Sequence, residues 1–415
     1  MISARAGKAG PVPRRWMSIV GVLAAAVLMA SGCGSDDDKD TATSSSASAS
    51  SSAAGVAGVV NAANAFLDTL SDDQKKIAQL EFIEENAVAW SNLPCGSTCR
   101  PGIEFGKLSD AQLTAAKAVL KAAMGTATGT GFDQAEKIML ADGVLSEQQG
   151  SGQAMPSGGT PPSGGAMPSG GAMPSGGAMP SGGGMPGASA SSTNGQSTSG
   201  YGAGVYFLGF LGAPSATGSW EISFGGHHLA VHLTYQAGKV VGTTPFFIGV
   251  EPKTWTASGT TYAPLATMHD GMAAMLKGLT SDELAEAKLA KTYSDVLLGP
   301  GQDGQFPSTK EGLAVSGLTD AQKQLVLTAI KPWVQVAADA DSATWLTEYE
   351  ADLDKTYVAW SGGSQLTEHA DYVRVDGPGV WVEFVCQNGV VYQNQIHYHT
   401  VYRDHTRDYG GEFSF

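Results

Sequence analysis

Five of the eight histidines in this 415-residue chain fall in two short strand-like segments, Gly226-His227-His228…His232 and His397-Tyr398-His399. Alternate side chains of a strand share a face. His397 and His399 therefore point the same way, about 6–7 Å apart, a separation from which two imidazoles can hold one ion. By the same rule His228, Ala230 and His232 share a face, while His227 turns with Leu229 and Val231 toward the core as a structural residue. His228 is thus the candidate third ligand and His232 a further one. Glu383 interrupts an otherwise apolar segment, Val382-Glu383-Phe384-Val385-Cys386. It is expected to be a fourth ligand or the base that activates bound water, since metal-bound water loses its proton near neutral pH. Arg403 is expected to stabilise an oxyanion and Asp404 to orient a histidine. The blander readings make Glu383 the partner of Arg403, and Arg403, Asp404 and Asp408 a salt-bridged C-terminal turn. His269 and His369 have no partners near them in sequence and read as solvated. One transition-metal ion is expected, zinc favoured, with copper or iron as alternatives that would support oxidation.

The elements that must position these residues carry an internal repeat. Four segments place a Leu before a Ser or Thr with Gln or Glu three residues on: Leu70-Ser71…Gln74, Leu108-Ser109…Gln112, Leu279-Thr280…Glu283 and Leu318-Thr319…Gln322. Each is a capping box with a stapling Leu, so each predicts a helix start. The first and third boxes are 280 − 71 = 209 positions apart and the second and fourth 319 − 109 = 210, which marks two copies of a helical pair. The strand Val231–Val241 overlies Val382–Tyr392 at an offset of 382 − 231 = 151, each closing on a Gly-containing turn. The expected fold class is α+β: a helical pair followed by an antiparallel β-meander, duplicated, with the halves related by a pseudo-twofold. His232 and Glu383 then correspond, and are expected to face one another across that axis.

The outer segments set the compartment. Arg5, Lys8, Arg14 and Arg15 precede a short apolar run, Met17–Ala30, that ends in Leu28-Met29-Ala30-Ser31-Gly32-Cys33. Residues 1–32 read as a lipoprotein signal peptide with Cys33 as the lipidated terminus, and residues 33–58 as a flexible Ser/Ala tether. Arg14-Arg15 also permits a twin-arginine route. The expected location is the cell envelope, lipid-anchored and facing the periplasm or exterior. Residues 148–200 repeat Ala-Met-Pro-Ser-Gly-Gly, with Met155, Met167, Met173, Met179 and Met185, and read as a disordered insert. The insert separates the helical part of the first half, 59–147, from its β part, 201–258, and residues 259–415 form the second half. Spaced thioethers raise the alternative of a Cu(I) or small-ligand carrier without catalysis. Cys95 and Cys99 flank turn residues and predict a local disulfide, leaving Cys386 as a buried free thiol. With 24 Lys+Arg against 39 Asp+Glu, the net charge of −15 excludes a nucleic-acid partner. Neither a Gly-x-Ser-x-Gly elbow nor a phosphate-cradling loop is present, so serine hydrolases and nucleotide enzymes are set aside.

Taken together, Tyr206, Pro214-Ser215, Trp220, Gly226-His227-His228-Leu229, Thr244-Pro245, Trp360-Ser361-Gly362-Gly363, Gly377-Pro378, Val382-Glu383, His397-Tyr398-His399, Arg403-Asp404 and Asp408-Tyr409-Gly410 resemble the family named domain of unknown function 3500. The resemblance runs from about Ala62 to the C-terminus around the Met-rich insert. It implies the Gly-His-His, the Glu and the His-x-His…Arg-Asp as the family's polar features, and implies no particular reaction. His232 departs from the pattern, where an amide or small polar residue is expected, as do the Cys95/Cys99 loop and the insert. The function expected from all of this is a lipid-anchored, metal-dependent hydrolase with an unidentified small-molecule or polymer substrate.

Overall fold

The computed structural model describes residues 55–150 and 200–415. The signal segment, most of the tether and the Met-rich repeats lie outside the described residues. All four capping boxes form, each with the reciprocal bonds of hydroxyl and carboxyl or amide, and they open helices that start at Asp72, Asp110, Ser281 and Asp320. In order, the helices are α1 Val56–Asp68, α2 Asp72–Ala78, α3 Glu84–Ala87, α4 Asp110–Ala123, α5 Gly131–Gly150, α6 Ala266–Lys277, α7 Ser281–Glu286, α8 Asp320–Val334 and α9 Asp339–Ala351. The strands are β1 Gln79–Leu80, β2 Ile103–Glu104, β3 Phe207–Leu211, β4 Ser219–Gly226, β5 Leu229–Gln236, β6 Lys239–Gly242, β7 Phe246–Val250, β8 Trp255–Ala257, β9 Thr260–Tyr262, β10 Leu313–Ala314, β11 Tyr357–Ser361, β12 Tyr372–Asp376, β13 Val380–Asn388 and β14 Ile396–Asp404. The class is α+β, as expected. Among the described residues no helix is long and apolar enough to cross a membrane.

One twelve-stranded sheet runs β1-β3-β4-β5-β7-β14-β13-β12-β11-β10, with β2 against β3 and β6 against β5. Its centre is the antiparallel pair β7·β14, where Gly249 lies opposite His399 and Phe247 opposite Val401. Directly paired residues point to the same face, so the register divides the side chains cleanly. Leu208, Phe210, Ile222, Phe224, Val231, Leu233, Ile248, Val382 and Phe384 line one face and form the main core with Phe66, Leu120, Met272 and Trp333 from the helices. The opposite face carries Glu221, Ser223, His232, Glu383, Arg374, Trp381, His397, His399 and Arg403, all buried. Irregular chain covers it, with Trp90 and Tyr409 over Phe247 and Val401, and Tyr293 over Tyr372 and Val385.

The strand order corrects one expectation. β7 and β14 lie between β5 and β13, so His232 and Glu383 are three strand spacings apart, about 14 Å. They do not face one another.

Candidate metal centre

The His-x-His pair sits near the start of β14, and the third imidazole comes from the connection between β4 and β5. His228 there takes a left-handed conformation, φ 60°, which costs a non-glycine residue roughly 1–2 kcal/mol. The surrounding bonds therefore impose its position. Tyr206 donates its hydroxyl to His227 O (2.9 Å), and Gly249 N donates to His228 O (2.8 Å). Gly249 also makes the room. A Cβ there would lie 3.0 Å from His399 Cδ2 and 3.1 Å from His228 Cδ2.

His228, His397 and His399 each offer a ring nitrogen within 4.8 Å of the others. They are 4%, 1% and 6% exposed, and their ring centroids are 4.8–5.3 Å apart. His399 Nδ1 lies 3.0 Å from Asp295 Oδ1. A carboxylate accepts, so Nδ1 carries the proton and Nε2 presents a lone pair to the cluster. That Nε2 is 3.1 Å from His397 Nε2. Two nitrogens held 2.0–2.1 Å from a tetrahedral zinc ion are about 3.3 Å apart, so the spacing of the His397–His399 pair and the three-imidazole donor set fit such an ion. Burial, together with the neighbouring histidines, lowers His228 well below the ordinary imidazole value and His397 to about 3. Neutral imidazole is the form that binds metal. Burial raises the Asp295 carboxyl, but its bond to His399 prevails and holds it below the ordinary value.

The remaining expected site residues lie elsewhere. Glu383 does not join the cluster. Its Oε2 accepts from Leu297 N (2.5 Å) and Tyr372 Oη (2.8 Å), and its Oε1 from Leu298 N (2.9 Å) and Trp381 Nε1 (2.7 Å). Four donors leave this carboxylate committed to anchoring the 297–298 loop. Nor does it pair with Arg403, whose guanidinium bonds Asp303 (2.8 Å), Asp408 (3.0 Å) and the carbonyls of Leu298 and Gly299. Asp404 caps the following turn through Thr406 and Arg407 and accepts from Tyr349 Oη. The salt-bridged C-terminal turn is therefore what forms. His232 donates through Nδ1 to Pro245 O (2.8 Å), between Trp90 and Tyr409, and burial lowers it to about 4. His269 is not solvated: it bonds Leu366 O (3.1 Å) and Asp270 (2.8 Å) and stacks on Tyr398. His369 is exposed, Cys95 and Cys99 form a disulfide, and Cys386 is a buried free thiol, all as expected.

A match to a family model now places the chain. Residues 52–411 match the model described as protein of unknown function (DUF3500). The chain belongs to this DUF3500 family. No curated protein and no solved structure matches it.

Three further carboxylates of this DUF3500 chain bear on the site. Asp295 lies in a loop and carries no sequence signal. Asp142 had one: it falls on the buried stripe of α5 between Ile138 and Leu145, where a carboxylate needs a partner. It bonds His227 Nδ1 (2.6 Å), and the His227 ring stacks 3.7 Å from that of His228. Glu251, directly after β7, accepts from Val391 N (2.8 Å) and Tyr392 N (2.7 Å), fixing the loop that leads into His397.

Proposed function

We propose that the chain is a lipid-anchored extracytoplasmic metalloenzyme whose single ion, zinc favoured, is held by His228, His397 and His399. The observation that carries this reading is the convergence of three buried imidazoles, one turned inward by a carboxylate. Three protein ligands leave a coordination position for water or substrate, the arrangement of catalytic rather than closed structural zinc sites. Bound there, the ion would supply Lewis acidity and an acidified water for hydrolysis. The protein's part is to hold His228 and His397 neutral, orient His399 through Asp295 and exclude bulk water. Anchoring rests on the signal-like segment that ends at Cys33. Descent from a duplicated helical-pair and β-meander unit is supported by the 209–210 spacing of the capping boxes and by a strand order that reads alike from both edges toward β7·β14.

A second reading, a metal carrier without turnover, is favoured by one fact: Glu383, the expected base, has every oxygen occupied by donors within the fold. Elemental analysis of the purified chain tests the site itself. About one equivalent of zinc, copper or iron is expected in the wild type and none in His397→Ala/His399→Ala; equal contents, even after incubation with metals, would discard the proposal. An ester, amide and phosphoester substrate panel run on the loaded protein then separates enzyme from carrier.

A further inference from the structure

The outer attachment of the His228 turn is a guanidinium seated on a disulfide loop. We propose that Arg100, held by the Cys95–Cys99 loop, is a positioning residue for His228, so that reducing this disulfide weakens metal binding. The inference rests on the three-histidine reading above.

Besides the Tyr206 bond to His227 O, two contacts tie the main chain of this turn to residues 92–100. Arg100 Nη2 donates to Gly226 O (2.8 Å), and His228 N donates to Asn92 O (3.3 Å). Arg100 governs both, because the same Nη2 also donates to Ser91 O (2.8 Å) and Leu93 O, the residues on either side of Asn92. Its Nη1 donates to Gly96 O (3.4 Å) and lies 3.5 Å from the sulfurs of Cys95 and Cys99. None of these hydrogen bonds goes to a carboxylate. The guanidinium bridges three segments: the disulfide loop, residues 91–93, and the turn that carries the ligand. Only a planar fork reaches all three at once, and a lysine ammonium cannot.

The bridge is accessible from outside at one point. Arg100 and His228 are buried, whereas Cys95 and Cys99 are partly exposed. A dithiol would deliver two electrons and two protons, breaking the Sγ–Sγ bond into two thiols while it becomes a disulfide itself. The 95–99 turn is then no longer closed, Nη1 loses its seat, and His228, held in a left-handed conformation, keeps its bond to β7 but loses those made through Arg100 and Asn92.

Zinc affinity of the full chain, measured by competition with a chromophoric chelator, tests this. The proteins compared are wild type, Cys95→Ser/Cys99→Ser, Arg100→Lys, His228→Ala, and each of the first two variants combined with His228→Ala. Serines replace the reduced thiols so that no new metal ligand is created. We expect the Ser pair and Arg100→Lys each to weaken binding at least about tenfold, and neither to weaken it further in the His228→Ala background. Wild-type affinity in both the Ser pair and Arg100→Lys would overturn the inference. So would a loss of equal size in the His228→Ala background, because the effect would then bypass His228. Should Arg100→Lys fail to fold, the Ser pair decides by the same criteria. A wild type that binds none of zinc, copper or iron overturns the metal reading first, and the positioning role with it.

Discussion

Two buried polar clusters lie on the same face of the central strands, and their chemistry is opposite. Around Glu383, four donors from Leu297, Leu298, Tyr372 and Trp381 converge on one carboxylate. Around His399, imidazole nitrogens converge instead: the inward-facing Nε2 meets His397 Nε2 at 3.1 Å, with the His228 ring 5.0 Å away. A carboxylate whose donors all come from within the fold is structural. Ring nitrogens facing one another at 3.1 Å are satisfied by an N–H shared between them or by a cation that takes both lone pairs. Burial is alike in both places, and the balance of donors and acceptors separates them.

The contrast can be tested from both sides. Glu383→Ala has the largest expected effect, because it orphans four buried donors. A loss of about 3–5 kcal/mol is expected in denaturant titrations, with metal stoichiometry unchanged in the folded fraction. Loss of metal from a variant of undiminished stability would return Glu383 to the ligand set. Asp295→Asn comes next, since the amide no longer fixes the His399 tautomer. Zinc affinity is expected to fall about 10- to 100-fold with little change in the stability of the metal-free protein; unaltered affinity would remove Asp295 from the site.

The smallest effect near neutrality is a pH dependence. His397 is depressed to about 3 in the fold against an ordinary value of 6.5, so the unfolded chain binds more protons below pH 7. The stability it contributes is present above about 6.5 and is lost as pH falls toward 3, amounting to roughly 0.7 kcal/mol between pH 7 and pH 6. Stability curves of the metal-free wild type and His397→Phe over this range should diverge accordingly. Parallel curves would mean that His397 is solvated rather than enclosed.

Much of the local structure was legible in the sequence. The four capping boxes start helices where Ser71, Ser109, Thr280 and Thr319 stand, because a cap is satisfied within three residues and needs nothing distant. The turn at Ala237-Gly238 closes the β5–β6 hairpin, both residues having positive φ, for the same local reason. The shared face of His397 and His399 followed from strand periodicity. The fate of Glu383 did not, because its partners Leu297 and Leu298 lie 86 and 85 positions away in a loop without a pattern. The Asp295–His399 contact spans 104 positions and was equally hidden.

By itself the sequence determined which residues begin helices, which alternate on strands, and that His397 and His399 share one face. Only the tertiary structure decided that His228 joins the pair while His232 and Glu383 do not. Periodicity places a side chain on a face but does not say which strands are neighbours, and it is the β5-β7-β14-β13 order, with the loops laid over it, that gives each buried polar atom its partner.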